Sequence, residues 1–172
     1  MRRGWWRRNA AALAALVVLV PVTVLVVGGN EWREYYGFRA SMPVEVASGE
    51  RTTYAGAEFG GADIAPLTAE GLEVPEGARA FLVTVEVAPT TTTPPSCLPL
   101  SLHEQGGAQR EWSVDASLRW YDRDRPSGCD SLATGPYTIA TPFLVPDDAT
   151  GPFFVDLFVV GEAPRFLRVH LD

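Results

Sequence analysis

The stretch AFLVTVEV, residues 80–87, decides the fold. Phe81, Val83, Val85 and Val87 fall on one face of an extended chain, and Leu82, Thr84 and Glu86 on the other. This is the period of two that marks a strand with a buried side. Working outward, Leu98, Leu100 and Leu102 alternate with Pro99, Ser101 and His103, and Gln105, Gly106 and Gly107 turn the chain back through Arg110 to Trp112, which reads as a hairpin. Tyr137–Val145, Phe153–Val160 and Phe166–Leu171 follow, separated by Pro, Gly and acidic residues. Weaker strands are expected at Val44–Ala47, Thr52–Phe59 and Asp63–Leu67. Seven or eight short strands with regular turn signals and no convincing long helical pattern after residue 43 favour an all-β, two-sheet sandwich over a parallel α/β design.

The last hairpin carries its own register. With its turn at Glu162, paired residue numbers sum to 324, so that Phe158 opposes Phe166, Asp156 opposes Arg168 and Phe154 opposes His170. Aromatic and opposite-charge pairs favour this register, and a one-residue slip would turn every side chain to the wrong face. Phe153, Val155, Leu157 and Val159 then face the core with Leu167, Val169 and Leu171, which leaves Phe154, Phe158, Phe166 and His170 on the outer face. Apolar patches of this kind mark partner-binding surfaces, and these four residues are the candidate binding face. The competing reading is that the linker or a neighbouring loop covers them.

The N-terminus is a different kind of sequence. Arg2, Arg3, Trp5, Trp6, Arg7 and Arg8 precede an almost wholly apolar run, Ala10–Val27, broken only by Pro21 and Thr23. At about 1.5 Å per helical residue this run spans roughly 27 Å, close to the hydrocarbon thickness of a bilayer. Positive flanks stay in the cytoplasm, so the expected order is a cytoplasmic tail (1–9), a transmembrane helix (10–28), a juxtamembrane segment and linker (29–43) and an extracytoplasmic domain (44–172). Trp32, Tyr35 and Tyr36 share one helical face suited to the headgroup layer, and Gly37 offers a helix stop. A cleaved signal peptide is the competing reading, since Gly28 and Gly29 are small. The length of the run and the lack of an Ala-x-Ala site favour an uncleaved anchor.

Charge and cysteine usage fit this order. All fourteen basic residues are arginine, and with abundant Ala, Gly, Pro and Val this suggests a high-GC coding bias and an actinobacterial source. Four arginines belong to the tail, leaving ten against twenty-one carboxylates, a formal charge of −11 beyond the apolar run. Such a surface, taken as a whole, repels nucleic acid and anionic lipid headgroups and steers cationic partners or metal ions toward it, unless the acidity serves only solubility. Cys97 and Cys129 both lie in the outer part, where a lone pair in an oxidising compartment forms a structural disulfide.

The segments VPEGARAFLVTVEV (Val74–Val87), LSLHEQGGAQREW (Leu100–Trp112) and PFLVPDDATGPFFVDL (Pro142–Leu157) resemble the secreted immunoglobulin-like domains of Gram-positive bacteria. These include a mycobacterial secreted antigen and uncharacterised membrane-anchored actinobacterial proteins. The resemblance implies an immunoglobulin-like sandwich and an envelope location, and it brings no catalytic residues. An uncleaved anchor and the Cys97–Cys129 pair depart from many members.

Other candidate sites are weak. In YDRDRPSGCD (Tyr121–Asp130), Asp122, Asp124 and Asp130 suggest a calcium loop, but Pro126 and Ser127 stand where an EF-hand needs a ligand and a glycine. His103 and His170 both point outward by alternation and have no third ligand at a recognisable spacing. There is no hydrolase elbow and no phosphate-binding glycine loop. The run Thr90–Ser96 (TTTTPPS) reads as a connection, with O-glycosylation as the rarer alternative. The expected function is therefore a membrane-anchored, non-catalytic binding or accessory module of the cell envelope, with no cofactor or metal, held by its helix and meeting a protein or envelope partner. The alternatives are a structural subunit associating through its transmembrane helix and, third, an envelope hydrolase.

Overall fold

A computed structural model describes residues 3–37, 39–68, 71–114, 118, 120 and 124–171. The chain divides after Arg39 into a helical unit and a β unit. Helix α1 (Arg3–Gly37) contains Pro21. Its most apolar window has a mean hydropathy of 2.8 and no protein cover, and it is the one helix among the described residues long and apolar enough to cross a membrane. It continues past residue 28 because the following turns contain helix formers without proline, and Asn30 donates to Glu34 one turn on at 3.3 Å. Trp32 and Tyr36 lie ring to ring at 4.3 Å, Tyr35 adjoins Tyr36, and the helix stops at Gly37.

The β unit contains nine strands among the described residues. These are β1 (Met42–Val46), β2 (Arg51–Tyr54), β3 (Ala57–Pro66), β4 (Ala78–Pro89), β5 (Ser101–Glu104), β6 (Glu111–Ser113), β7 (Tyr137–Pro146), β8 (Phe153–Leu157) and β9 (Arg165–Leu171). They form one sheet ordered β1-β9-β8-β5-β6 and another ordered β2-β3-β4-β7. Every pairing is antiparallel except β1 with β9. The adjacency of β5, β8 and β9 corresponds to strands C, F and G of an immunoglobulin sandwich, and β4 against β7 corresponds to B against E. The structure is thus an apolar N-terminal helix followed by a β-sandwich.

AFLVTVEV lies in β4, a central strand. Its Val83, Val85 and Val87 are fully buried beside Phe59, Ile139, Phe143 and Val145, and the other sheet supplies Leu102, Val155, Leu157, Leu167 and Val169. Each such side chain contributes about 1.5–3 kcal/mol of burial free energy. The opposite face of β4 is not simply solvated: Ala80 and Leu82, with Leu144 of β7, pack under Leu67, Leu72, Leu118 and Trp120.

Two expectations need correction. Thr52–Phe59 is not one strand, because the chain reverses at Ala55 and Gly56, whose φ values of 48° and 82° belong to a type I′ hairpin turn. The later half joins Asp63–Pro66 in β3 through a bulge between Gly60 and Asp63, so the two expected segments are redrawn as two different strands. Leu98 does not share the core face of Leu100 and Leu102. Paired numbers sum to 257 along β5–β8 but to 256 at the Cys97–Val159 bridge. This one-residue slip, spanning Pro99, turns Leu98 outward.

Cys97 and Cys129 form a disulfide with Cα atoms 5.0 Å apart. It ties the approach to β5 to the segment preceding β7, and so links the two sheets. Asp122 and Arg123 lie outside the described residues, and Asp130 accepts a hydrogen bond from the Leu132 amide at 2.9 Å.

Candidate functional site

The outer face of the larger sheet follows from strand alternation. With Val155, Leu157, Leu167 and Val169 inside, β8 and β9 present Phe154, Asp156, Arg168 and His170 outward, and Phe158 continues the series beyond β8. The register sums to 324: Asp156 opposes Arg168 and Phe154 opposes His170. The Phe158 and Phe166 rings lie 5.1 Å apart. On either side β1 adds Glu45, opposite Arg168, and β5 adds His103, opposite Phe154.

These side chains form a row of charges across four strands. Arg168 donates from Nε and a terminal nitrogen to the two oxygens of buried Asp156, at 2.8 and 2.9 Å. On its other side Arg168 approaches Glu45 at 3.9 Å, and Glu45 in turn meets His170 Nε2 at 2.9 Å. His103 Nε2 stands 3.3 Å from Asp156 but is misaligned, and this nitrogen is buried with no hydrogen-bond partner. The guanidinium of Arg168 is held above its ordinary pKa, chiefly by its hydrogen bonds to Asp156.

Phe154 occupies the middle of this row. His103 stacks on it at 4.9 Å with rings 4° from parallel, Arg168 lies over it at 4.3 Å, and His170 leans against it at 5.9 Å. An arginine over an aromatic face gains roughly 0.5–2 kcal/mol. The candidate phenylalanines therefore share one face as expected, but they do not stand open: Phe166 is buried and Phe154 and Phe158 are half-buried. The hairpin is central in its sheet, so side chains of its neighbours β1 and β5 and its own Arg168 shield the rings. The distal part of this face opens into a shallow depression of about 450 Å³ lined by Glu45, His103, Gln105, Gln109, Arg168 and His170.

Sequence reasoning assigned His103 to the outer face but missed its stack on Phe154, and it missed Glu45 altogether. Glu45 alternates with Val44 and Val46, so its outward direction was readable; its place beside Arg168 required the β1–β9 pairing. A third carboxylate, Glu104, was also missed. It is buried at the end of β5, held by Arg110 at 3.1 and 3.3 Å and by the Thr150 amide at 3.3 Å. The Arg110 hydrogen bond keeps its pKa below the ordinary carboxylate value. Arg110 also reaches Asp148 at 2.7 Å. Among the described residues no group of three or more His, Cys, Asp or Glu is placed to hold a metal ion.

No protein-family model matches the chain, and no curated protein matches it. Among solved structures it is similar to the yjhA protein of Bacillus subtilis, at 10% identity and TM-score 0.48 over 73% of this chain and 99% of that one. It is also similar to a "putative lipoprotein" (ycdA) of Bacillus subtilis strain 168, at 13% identity and TM-score 0.45 over 71% of this chain and 38% of that one. A third is an uncharacterised β-sandwich protein of Clostridium difficile 630, at 14% identity and TM-score 0.42 over 76% and 95%.

Proposed function

We propose that the chain is a single-pass protein of the cell membrane whose β-sandwich stands outside and serves as a non-catalytic binding or accessory module of the cell envelope. The observation that carries this reading is α1, whose apolar stretch has no protein cover, preceded by Arg7 and Arg8 and followed by a disulfide-containing sandwich. An uncovered apolar helix of this length is stable in lipid and not in water. The arginines hold its N-terminus in the cytoplasm, and the disulfide suits the oxidising side. The lysine-free composition supports an actinobacterial origin.

The outer face of β1, β9, β8 and β5 is the surface we assign to the partner. It offers paired charges and ring edges around Phe154 and a half-open depression, a mixture suited to a polar protein or envelope glycan. His170 is held by Glu45, and both histidine rings pack against Phe154, an arrangement that supports the binding reading of this face.

A C-terminal reporter that is active only when exported is the expected result for topology, and affinity purification from membranes identifies the partner. Replacing Glu45, Phe154 and His170 with alanine releases that partner if the face binds it. Association that survives these changes and is lost on exchanging α1 for an unrelated membrane helix supports the second reading, a subunit assembled through its helix.

A further inference from the structure

The two ends of the sandwich differ in chemistry. One end, where β1 begins, gathers the β2–β3 turn, residues 90–99, residues 130–136 and the β8–β9 loop; the hydrogen bonds Met42 to Pro164, Leu98 to Phe158 and Val160 to Ser96 bring most of these segments together. Cys129 is bonded to Cys97, next to Leu98, which brings Leu132 to the same end. Five large apolar side chains are exposed among the described residues of the sandwich, and four are here: Met42 (58%), Leu98 (55%), Leu132 (85%) and Val160 (63%). Leu98 and Val160 continue the apolar strip of Phe158 and Phe166 on the outer face. The acidic residues of these loops are Asp130 and Glu162, with Arg165 beside them.

The opposite end is acidic. Its loops expose Glu50, Glu73, Glu76, Asp147 and Asp148, with Arg79 beside Asp147 and Arg110 tying Asp148, which leaves Glu50, Glu73 and Glu76 in excess. Only the first end is therefore compatible with an anionic lipid surface, where buried carboxylates and like charge are costly. Chain length selects the same end. Residues 38–41 are all that join Gly37 to Met42, and so short a connection spans at most about 18 Å. It begins directly after Trp32, Tyr35 and Tyr36, the belt suited to the headgroup layer.

We infer that this end of the sandwich docks on the outer surface of the bilayer, with Leu98, Val160, Leu132 and Met42 entering the interfacial layer. The inference rests on the proposed anchored topology and adds a second lipid contact to it. Apolar side chains at loop tips gain by leaving water for the acyl boundary, and their backbone segments are already fixed by the disulfide and the Cys97–Val159 bridge, so little order has to be created on contact.

The full chain, reconstituted in nanodiscs of phosphatidylethanolamine and phosphatidylglycerol with a headgroup-diazirine lipid, tests this by photolabelling and peptide mapping. The expected result is labelling of residues 96–99, 130–134 and 158–162 together with the flank of α1, and none at residues 73–76 or 147–150. Leu98→Glu with Val160→Glu, at exposed positions that leave the core untouched, lowers labelling of these loops by about tenfold, the equivalent of removing one buried side chain from lipid. The intact disulfide serves as the check on folding. If α1 is labelled and the loops are not, or if the loops cross-link instead to a second copy, docking on lipid is wrong and the anchor reading stands. If α1 itself is unlabelled, both are wrong.

Discussion

Asp156 and Arg168 face each other across the β8–β9 hairpin with two parallel hydrogen bonds, and the carboxylate is buried while the guanidinium is partly exposed. Arg168→Leu leaves the buried Asp156 carboxylate without its guanidinium and is expected to cost about 3 kcal/mol, the usual penalty for breaking a buried pair from one side. Replacing both residues with leucine should cost markedly less. Chemical denaturation of the four members of the double-mutant cycle checks this, and equal costs for the single and double variants would show that the pair does not act as a unit.

Acid should loosen the turn between β5 and β6. The folded pKa of Glu104 lies below its ordinary value of 4.5, so its contribution to stability is complete above that value and is lost as pH falls toward the folded pKa. Thermal unfolding of the wild type should therefore fall away below about pH 4.5 more steeply than that of Glu104→Gln, which cannot titrate there. Parallel curves for the two proteins would remove Glu104 from the account.

The disulfide closes a loop with a sequence separation of 32. In the chain-entropy model, opening a loop of that size costs about 3–4 kcal/mol, so Cys97→Ser should lower the unfolding free energy by that amount. Thiol titration of the unreduced wild type, denatured, should find no free cysteine.

Gly60 sits at the β3 bulge, where an added Cβ would meet the Arg51 side chain and the Glu50 carbonyl oxygen, the latter at 2.7 Å. The guanidinium of Arg51 bridges Glu58 and Glu86 across the same sheet. Gly60→Ala should displace this edge and destabilise by about 1–3 kcal/mol, the range for forced overpacking. Gly128→Ala, where nothing lies within 4 Å of the added carbon, is the control and should leave the melting temperature nearly unchanged.

The parts of the fold that could be read in the sequence are those written in local chemistry. The β8–β9 register was legible because Asp156 with Arg168 and Phe158 with Phe166 have to match across one short turn. The β2–β3 hairpin was hidden because its type I′ turn is Ala55-Gly56 where Asn-Gly or Asp-Gly would have announced it. Leu98 misled because a one-residue slip on a neighbouring ladder reverses alternation without changing the sequence pattern. The shielding of Phe154 was legible only in part: its pairing with His170 follows from the hairpin, but the stack of His103 on the ring comes from a strand far away in the chain, and no turn signal specifies that β5 should lie beside β8 or that β1 should lie parallel to β9.

That pairing also fixes an order of arrival. β9 lies between β1 and β8, so β1 has no partner in the larger sheet until residues 165–171 are present. On the proposed topology the chain crosses the membrane from its N-terminal side, and the first strand to emerge waits for the last. Meanwhile the apolar run of β4 is exposed, a segment of the kind that aggregates from partly folded states. Export should therefore draw on an extracytoplasmic holding factor, and chains truncated before β9 should be cleared by envelope proteases while their anchor remains in place.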